Sequence, residues 1–106
     1  MYLALPKNLH IKDSMIAGQG LFARMDIPAG EELGLSHLLI NDEIFRTPLG
    51  GFINHSDNPN CEKWLENQRY YIKTIRPIKS GEELFLKYTK TSNGYLYQKL
   101  FYQHRI

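Results

Sequence analysis

The stretch "GGFINHSDNPNC", residues 50–61, sets glycine, asparagine, serine, aspartate and proline around a histidine and the chain's only cysteine. A helix cannot run through it. Pro59 lacks an amide hydrogen and restrains its neighbour, and the Asn, Asp and Ser side chains offer the backbone competing hydrogen bonds. Beyond Ile53 it is poor strand material as well. An ordered polar loop of this length in a short chain needs a reason, so the segment is either slack or a site.

The chain around it has 106 residues, enough for one domain spanning 1–106. Apolar residues make up 42% of it and seven tyrosines are present, a composition that predicts a folded, globular chain. The net charge is only +2 and the Lys and Arg residues are dispersed, so no direct nucleic-acid partner is expected. A single cysteine cannot close an internal disulfide and no Cys/His cluster suggests zinc. The expectation is an intracellular protein, cytoplasmic or nuclear and not secreted, that binds no metal. No apolar run approaches the ~20 residues of a membrane span, and "MYLALPKNLHIK" lacks the pattern of a leader, so no membrane partner is expected either.

The dominant texture is short strands separated by turns. "NLHIKDS" alternates around Leu9 and Ile11, "GLFARMDI" follows the tight "AGQG", and "PAGEELGLS" turns back into "LLIND". "RYYIKTIRPI" is the best strand, and "KSGEELFLKY" adds a turn and a strand with Leu84 and Leu86 on one face and Phe85 on the other. The one helix expected is the tail "GYLYQKLFYQHRI", where Leu96, Leu100 and Phe101 follow helical spacing. "DIPAGEEL" (26–33) and "PIKSGEEL" (77–84) echo each other. In each, Gly suits a positive φ, the Glu pair keeps the turn wet and Leu enters the core; the two read as hairpin-like entries into adjacent strands of one sheet system.

Three blocks, "GQGLFARMDIPAGEEL", "FINHSDNPNC" and "GEELFLKY", resemble in content and order the motifs of the SET domain, a family of lysine methyltransferases that use S-adenosylmethionine. The match reaches from about residue 9 to residue 88. It implies a mostly β chain: a β-clip of short sheets with a knot-like crossing by the C-terminal segment, plus a short C-terminal helix, the tail 89–106 closing the site. The polar loop then becomes ordered. The implied activity is methyl transfer to a lysine side chain of a histone or non-histone protein, with S-adenosylhomocysteine as product. The alternative is a catalytically weak module that keeps the fold, and with it the cofactor site, but acts by contacting a partner.

The resemblance also distributes roles. Tyr88 falls on the active-site tyrosine, whose hydroxyl would orient the target nitrogen; on its own it would read as a tyrosine ending a buried strand. Asn54 and His55 would contact the amino-acid and adenine portions of the cofactor, although Asn-His in a loop is ordinarily turn chemistry. The backbone of Gly18, Gln19, Gly20 and Leu21 would lie along its methionine part, glycine allowing close approach. Phe101 is chosen to cover the adenine, with Tyr95 and Tyr97 as rivals. Ser56, Pro59 and Asn60 shape the loop, and Cys61 packs as a small hydrophobe.

Departures from the family pattern set further expectations. Leu35-Ser36 stands where a Glu-Tyr pair is frequent, so a second channel tyrosine must come from Tyr70, Tyr71 or the tail. Leu86, in the channel where an aromatic residue often limits methylation, leans toward more than one methyl group. Lys87 replaces a frequent Asp. The insert "HLLINDEIFRTPLG" is short and no cysteine-rich zinc segment follows Tyr88, as in minimal free-standing viral and bacterial members. Such a minimal domain leaves room for a homodimer that completes the substrate groove.

Overall fold

The computed structural model describes residues 5–88. Within them the chain is mostly β. Strands β1 (Leu9–Asp13) and β2 (Gln19–Ala23) form one antiparallel pair. Strands β3 (Glu32–Ile40), β4 (Glu43–Arg46), β6 (Cys61–Glu66) and β7 (Arg69–Thr74) build a four-stranded sheet in the order β4-β3-β7-β6. The third sheet is a parallel pair of two-residue strands, β5 (Asn54–His55) and β8 (Phe85–Leu86). Leu21, Ile27, Leu49, Ile53, Ile72, Ile78, Leu84 and Leu86 form the core between these layers. No helix among the described residues is long and apolar enough to cross a membrane.

Two turns explain the larger sheet. Asn41-Asp42 and Asn67-Gln68 all have φ between 51° and 67°, the signature of two-residue type I′ turns whose twist matches the flanking strands. The first joins Ile40 to Glu43 and the second joins Glu66 to Arg69. "LLIND" is therefore the end of a nine-residue strand and the start of a turn. Gly34, at φ 131°, lies beside the first of two register shifts between β3 and β7, where a bulge needs backbone that a Cβ would resist.

The two echoed turns face each other across an approximate local two-fold. Ile27 and Ile78 exchange backbone hydrogen bonds of 2.7 and 2.8 Å. Gly30 N–H donates to Thr74 O and Gly81 N–H donates to Ala23 O, both at 2.8 Å, and both glycines have positive φ. The pattern continues with Ala23 N–H to Glu82 O and Thr74 N–H to Glu31 O. Their destinations differ from the sequence expectation: the first turn enters β3 of the large sheet, the second enters β8 of the small one. Local similarity encodes the turn, whereas the strand partner depends on long-range packing.

Two other readings are corrected. A five-residue helix α1 (Pro48–Phe52) takes in the first residues of the polar stretch, whereas the tail is the one helix expected from the sequence. Its signal lies in "TPLGG": Thr47 caps the N-terminus, accepting from Gly50 N, and Pro48 occupies the first turn where its missing N–H costs nothing. Gly50 is required by packing, because a Cβ there would collide with the Ser36 carbonyl and come within 2.9 Å of its carbon. Asn54 and His55, expected in a loop, form β5; a two-residue parallel ladder rests on a partner 31 residues away and has no local signature. The expected tail helix and the knot-like crossing lie outside the described residues.

Candidate functional site

β5 brings the three sequence blocks together. Its N-terminal neighbour Ile53 ends α1 and is buried, and β8 holds its other side, Ser56 N–H donating to Leu86 O at 3.0 Å. Asn54 and His55 are thereby aimed at two different blocks.

Asn54 reaches the glycine turn. Its Nδ2 donates to Ala17 O and Gln19 O, each at 3.2 Å, and to Glu83 Oε2 at 2.8 Å. The turn folds back on itself: Ser14 N–H donates to Gly18 O at 2.8 Å, while Ser14 Oγ accepts from Ile16 N at 3.0 Å. Gly18 makes this possible at φ 48°, with nothing within 4 Å of the position a Cβ would take. Gly20 is needed for the opposite reason. A Cβ there would collide with Glu83 Oε2 and come within 3.0 Å of Asn54 Nδ2.

His55 reaches the tyrosine block. Its Nδ1 accepts from Tyr88 N at 2.9 Å, and since a backbone N–H can only donate, Nδ1 carries no proton. The proton is therefore on Nε2, which faces Asp57 Oδ1 at 3.2 Å. The two rings of His55 and Tyr88 lie 5.1 Å apart, tilted by 54°. Tyr88 turns its hydroxyl back to donate to Ile53 O at 2.8 Å. The phenolic hydrogen is thus committed to the residue just before Asn54, and what the oxygen retains is acceptor capacity.

Asn60 closes the loop from inside. Fully buried, it accepts from Phe85 N at 2.7 Å and donates to Glu83 O at 2.9 Å, tying the end of the loop to the entry of β8. Ser56 Oγ accepts from Asn58 N at 3.0 Å, a local turn bond. Cys61 is buried and its thiol is pushed up to about 12 by burial, which removes it as a nucleophile.

Among the residues singled out from the sequence, Gly18, Gln19, Gly20, Asn54, His55 and Tyr88 converge. Leu21 and Leu86 lie in the core, where both side chains pack, with Tyr88 against the same cluster. Tyr70 and Tyr71 are consecutive on β7 and so point to opposite faces, and they cannot line one channel together. Tyr71 stacks on Trp64 with centroids 5.4 Å apart. Tyr70 stands edge-on to His37 at 6.1 Å with Lys63 Nζ 4.9 Å over its ring. Burial lowers Lys63 to about 8 and, with Lys63 and Arg46 nearby, lowers His37 to about 3. Ser36 is fully buried and donates to Tyr70 O at 3.2 Å, so the position that lacks the frequent tyrosine is a sheet contact. Phe101, Tyr95 and Tyr97 lie outside the described residues.

Glu83 is the residue that sequence reasoning missed. As one of a Glu pair it is expected to keep a turn wet, and Glu31 and Glu32 are indeed exposed, but Glu83 turns inward. Its two carboxylate oxygens hold Ser14 Oγ at 2.8 Å and Asn54 Nδ2 at 2.8 Å. The signal available was period two: Leu84 and Leu86 face the core, which puts Glu83 on the side shared with Phe85.

Comparison with known proteins gives the family and the fold. A SET domain profile matches residues 36–89, just over half of the chain. A histone-lysine N-methyltransferase, H3 lysine-36 specific, from Gibberella zeae is 47% identical over 49 residues, covering 42% of this chain and 5% of that protein. The chain thus spans about a twentieth of the length of the curated relatives it matches. A candidate histone methyltransferase from Plasmodium falciparum superposes with a TM-score of 0.67 at 19% identity, over 81% of this chain and 96% of that one. The methyltransferase domain of human PR domain-containing protein 2 gives 0.66 at 19% identity, over 84% and 82%. At that identity the likeness is one of fold.

Proposed function

As the chain belongs to the SET-domain family of protein lysine methyltransferases, we propose that it is an S-adenosylmethionine-dependent protein-lysine N-methyltransferase. The observation that carries the reading is the meeting of Asn54, His55 and Tyr88 with the Gly18–Gly20 turn, through bonds that join three distant sequence blocks. The residues suit such a cofactor: Gly18 and Gln19 offer exposed backbone, Asn54 a fixed carboxamide, and His55 and Tyr88 a partly apolar wall.

When bound, S-adenosylmethionine supplies a methyl group on a sulfonium, open to in-line attack by an amine. The residues have three tasks. They must orient the amine, keep it neutral although free lysine has a pKa of about 10.4, and leave the developing charges unscreened by water. Tyr88 suits the first task. With its hydrogen committed to Ile53 O, its oxygen can accept from the substrate N–H and fix the direction of the nitrogen lone pair. Desolvation beside a cationic cofactor lowers the amine's pKa, and the proton leaves through water.

The substrate is proposed to be a protein lysine, with histone H3 the first candidate because the curated relatives carry that name. Residues 1–106 are read as one domain whose tail covers the cofactor, with Phe101 over the adenine, working inside the cell and able to pair with a second copy. A catalytically weak module is the second reading. It is favoured by Tyr71 lying on the outer face against Trp64 and by the buried Ser36, which leave the second channel tyrosine to Tyr70 or the tail.

Labelled cofactor with a panel of histones and other proteins tests these readings. Label on lysine that is lost in Tyr88→Phe and His55→Ala supports the enzyme. Cofactor binding by calorimetry with no transfer to any substrate supports the module.

A further inference from the structure

The Glu83 carboxylate, itself part of the third sequence block, is touched by residues of the other two. Ser14, at the foot of the glycine turn, donates to Oε1; Asn54, from the polar loop, donates to Oε2; and Gly20 packs against it with no room for a Cβ. The bonds close a ring: Glu83 to Ser14, Ser14 through the turn to Ala17 and Gln19, their carbonyls to Asn54, and Asn54 back to Glu83.

The ring has a chemical consequence. Asn54 Nδ2 carries two hydrogens, and three acceptors face it, so its donor capacity is spent within the protein. What the carboxamide can offer a ligand is Oδ1, which only accepts. Turning the amide over would set Oδ1 against two carbonyls and a carboxylate, an arrangement in which every contact is repulsive. The charge on Glu83, directly behind the amide, further favours a ligand group that is positive.

We propose that Glu83 is the positioning residue of this site: by clamping Asn54 it presents Oδ1 as a fixed acceptor, and so selects a ligand that places a cationic N–H donor there. The inference rests on the cofactor reading above, in which that donor is the α-ammonium of S-adenosylmethionine. Glu83 acts through Asn54 and does not touch the reacting atoms. Its contribution is discrimination at the amino-acid end.

Calorimetry with two probes tests it: S-adenosylmethionine and its des-amino analogue, which keeps the sulfonium and carboxylate but lacks the ammonium. The wild type is expected to prefer the intact cofactor by about 10-fold or more, the range for a hydrogen bond to a charged group. Glu83→Ala should remove most of that preference while changing des-amino affinity less than about 2-fold. Glu83→Gln should restore much of it, because the Gln side-chain oxygen can still accept from Asn54. A scaffold role alone would lower both affinities together and leave their ratio intact, which overturns the proposal; so does an unchanged ratio with unchanged affinities. Thermal melts of each variant establish that it is folded.

If the wild type binds neither probe, the cofactor reading fails, and the clamp is judged in the free protein. NMR exchange of the Asn54 carboxamide hydrogens should be slow in wild type and at least about 10-fold faster in Glu83→Ala. Equal exchange in the two proteins refutes the clamp.

Discussion

Removing the side chain of Asn60 should destabilise the protein by breaking the latch between the polar loop and the entry of β8. Its Oδ1 accepts from Phe85 N at 2.7 Å and its Nδ2 donates to Glu83 O at 2.9 Å, and the residue is 1% exposed. In Asn60→Ala both backbone groups lose their partner where water has little access, at about 1–3 kcal/mol each. A central value of about 4 kcal/mol in a domain of this size corresponds to a fall in Tm of roughly 16–32 °C. Asn60→Asp sharpens the prediction. The introduced carboxylate can still accept from Phe85 N–H but sets oxygen against the Glu83 carbonyl, so burial and that carbonyl raise its pKa in the folded state above the unfolded value of about 3.9. A raised folded pKa contributes stability that is fully present below the unfolded pKa and is lost as pH rises through the folded one. The Tm gap between Asn60→Asp and wild type should therefore be small near pH 4 and widen toward pH 7, whereas the gap for Asn60→Ala should be independent of pH. Calorimetric or circular-dichroism melts of the three proteins across that range provide the measurement. Two variants melting within about 3 °C of wild type at pH 7 would refute the latch.

Tyr88→Phe should cost about 1 kcal/mol of stability for the lost bond to Ile53 O, yet lower methyl transfer about 100-fold or more with cofactor affinity nearly unchanged; loss of binding instead would assign Tyr88 to the cofactor. His37, held neutral by burial with a pKa lowered to about 3, contributes stability that is present above 6.5 and lost as pH falls from there toward 3, at up to about 1.4 kcal/mol per unit. His37→Gln should flatten that acid limb in denaturation curves, and an unchanged limb would show that His37 is not its source. Cys61, buried and with its thiol pushed up to about 12, should react with a thiol reagent at pH 8 only as fast as the protein opens, so that added denaturant sets the rate; rapid labelling of the native protein would contradict its burial.

The residues most legible in the sequence were those whose type is dictated by local backbone or by a compact motif. Gly30 and Gly81 take the positive φ that their turns demand, Ile27, Ile78, Leu33 and Leu84 enter the core as their spacing implies, and Cys61 packs as an apolar residue. Strands β1 and β7 follow from the alternation of residue types, and β2 from the glycine turn before it. Helix α1 and the Asn67-Gln68 hairpin were also written locally, in a Thr-Pro cap and a two-residue turn, but in segments too short for periodicity to stand out.

By itself, then, the sequence determined the turns, the core alternation and the identity of the residues that meet, Asn54, His55 and Tyr88. Only the tertiary structure decided how they meet. The parallel pair β5–β8 and the inward turn of Glu83 each depend on partners far away along the chain. A carboxylate beside a turn looks like any solvated glutamate until Ser14 and Asn54 arrive from 69 and 29 residues away to take its oxygens. Hydrogen-bond demand is a property of what surrounds a group in space, and that neighbourhood exists only once the chain has folded.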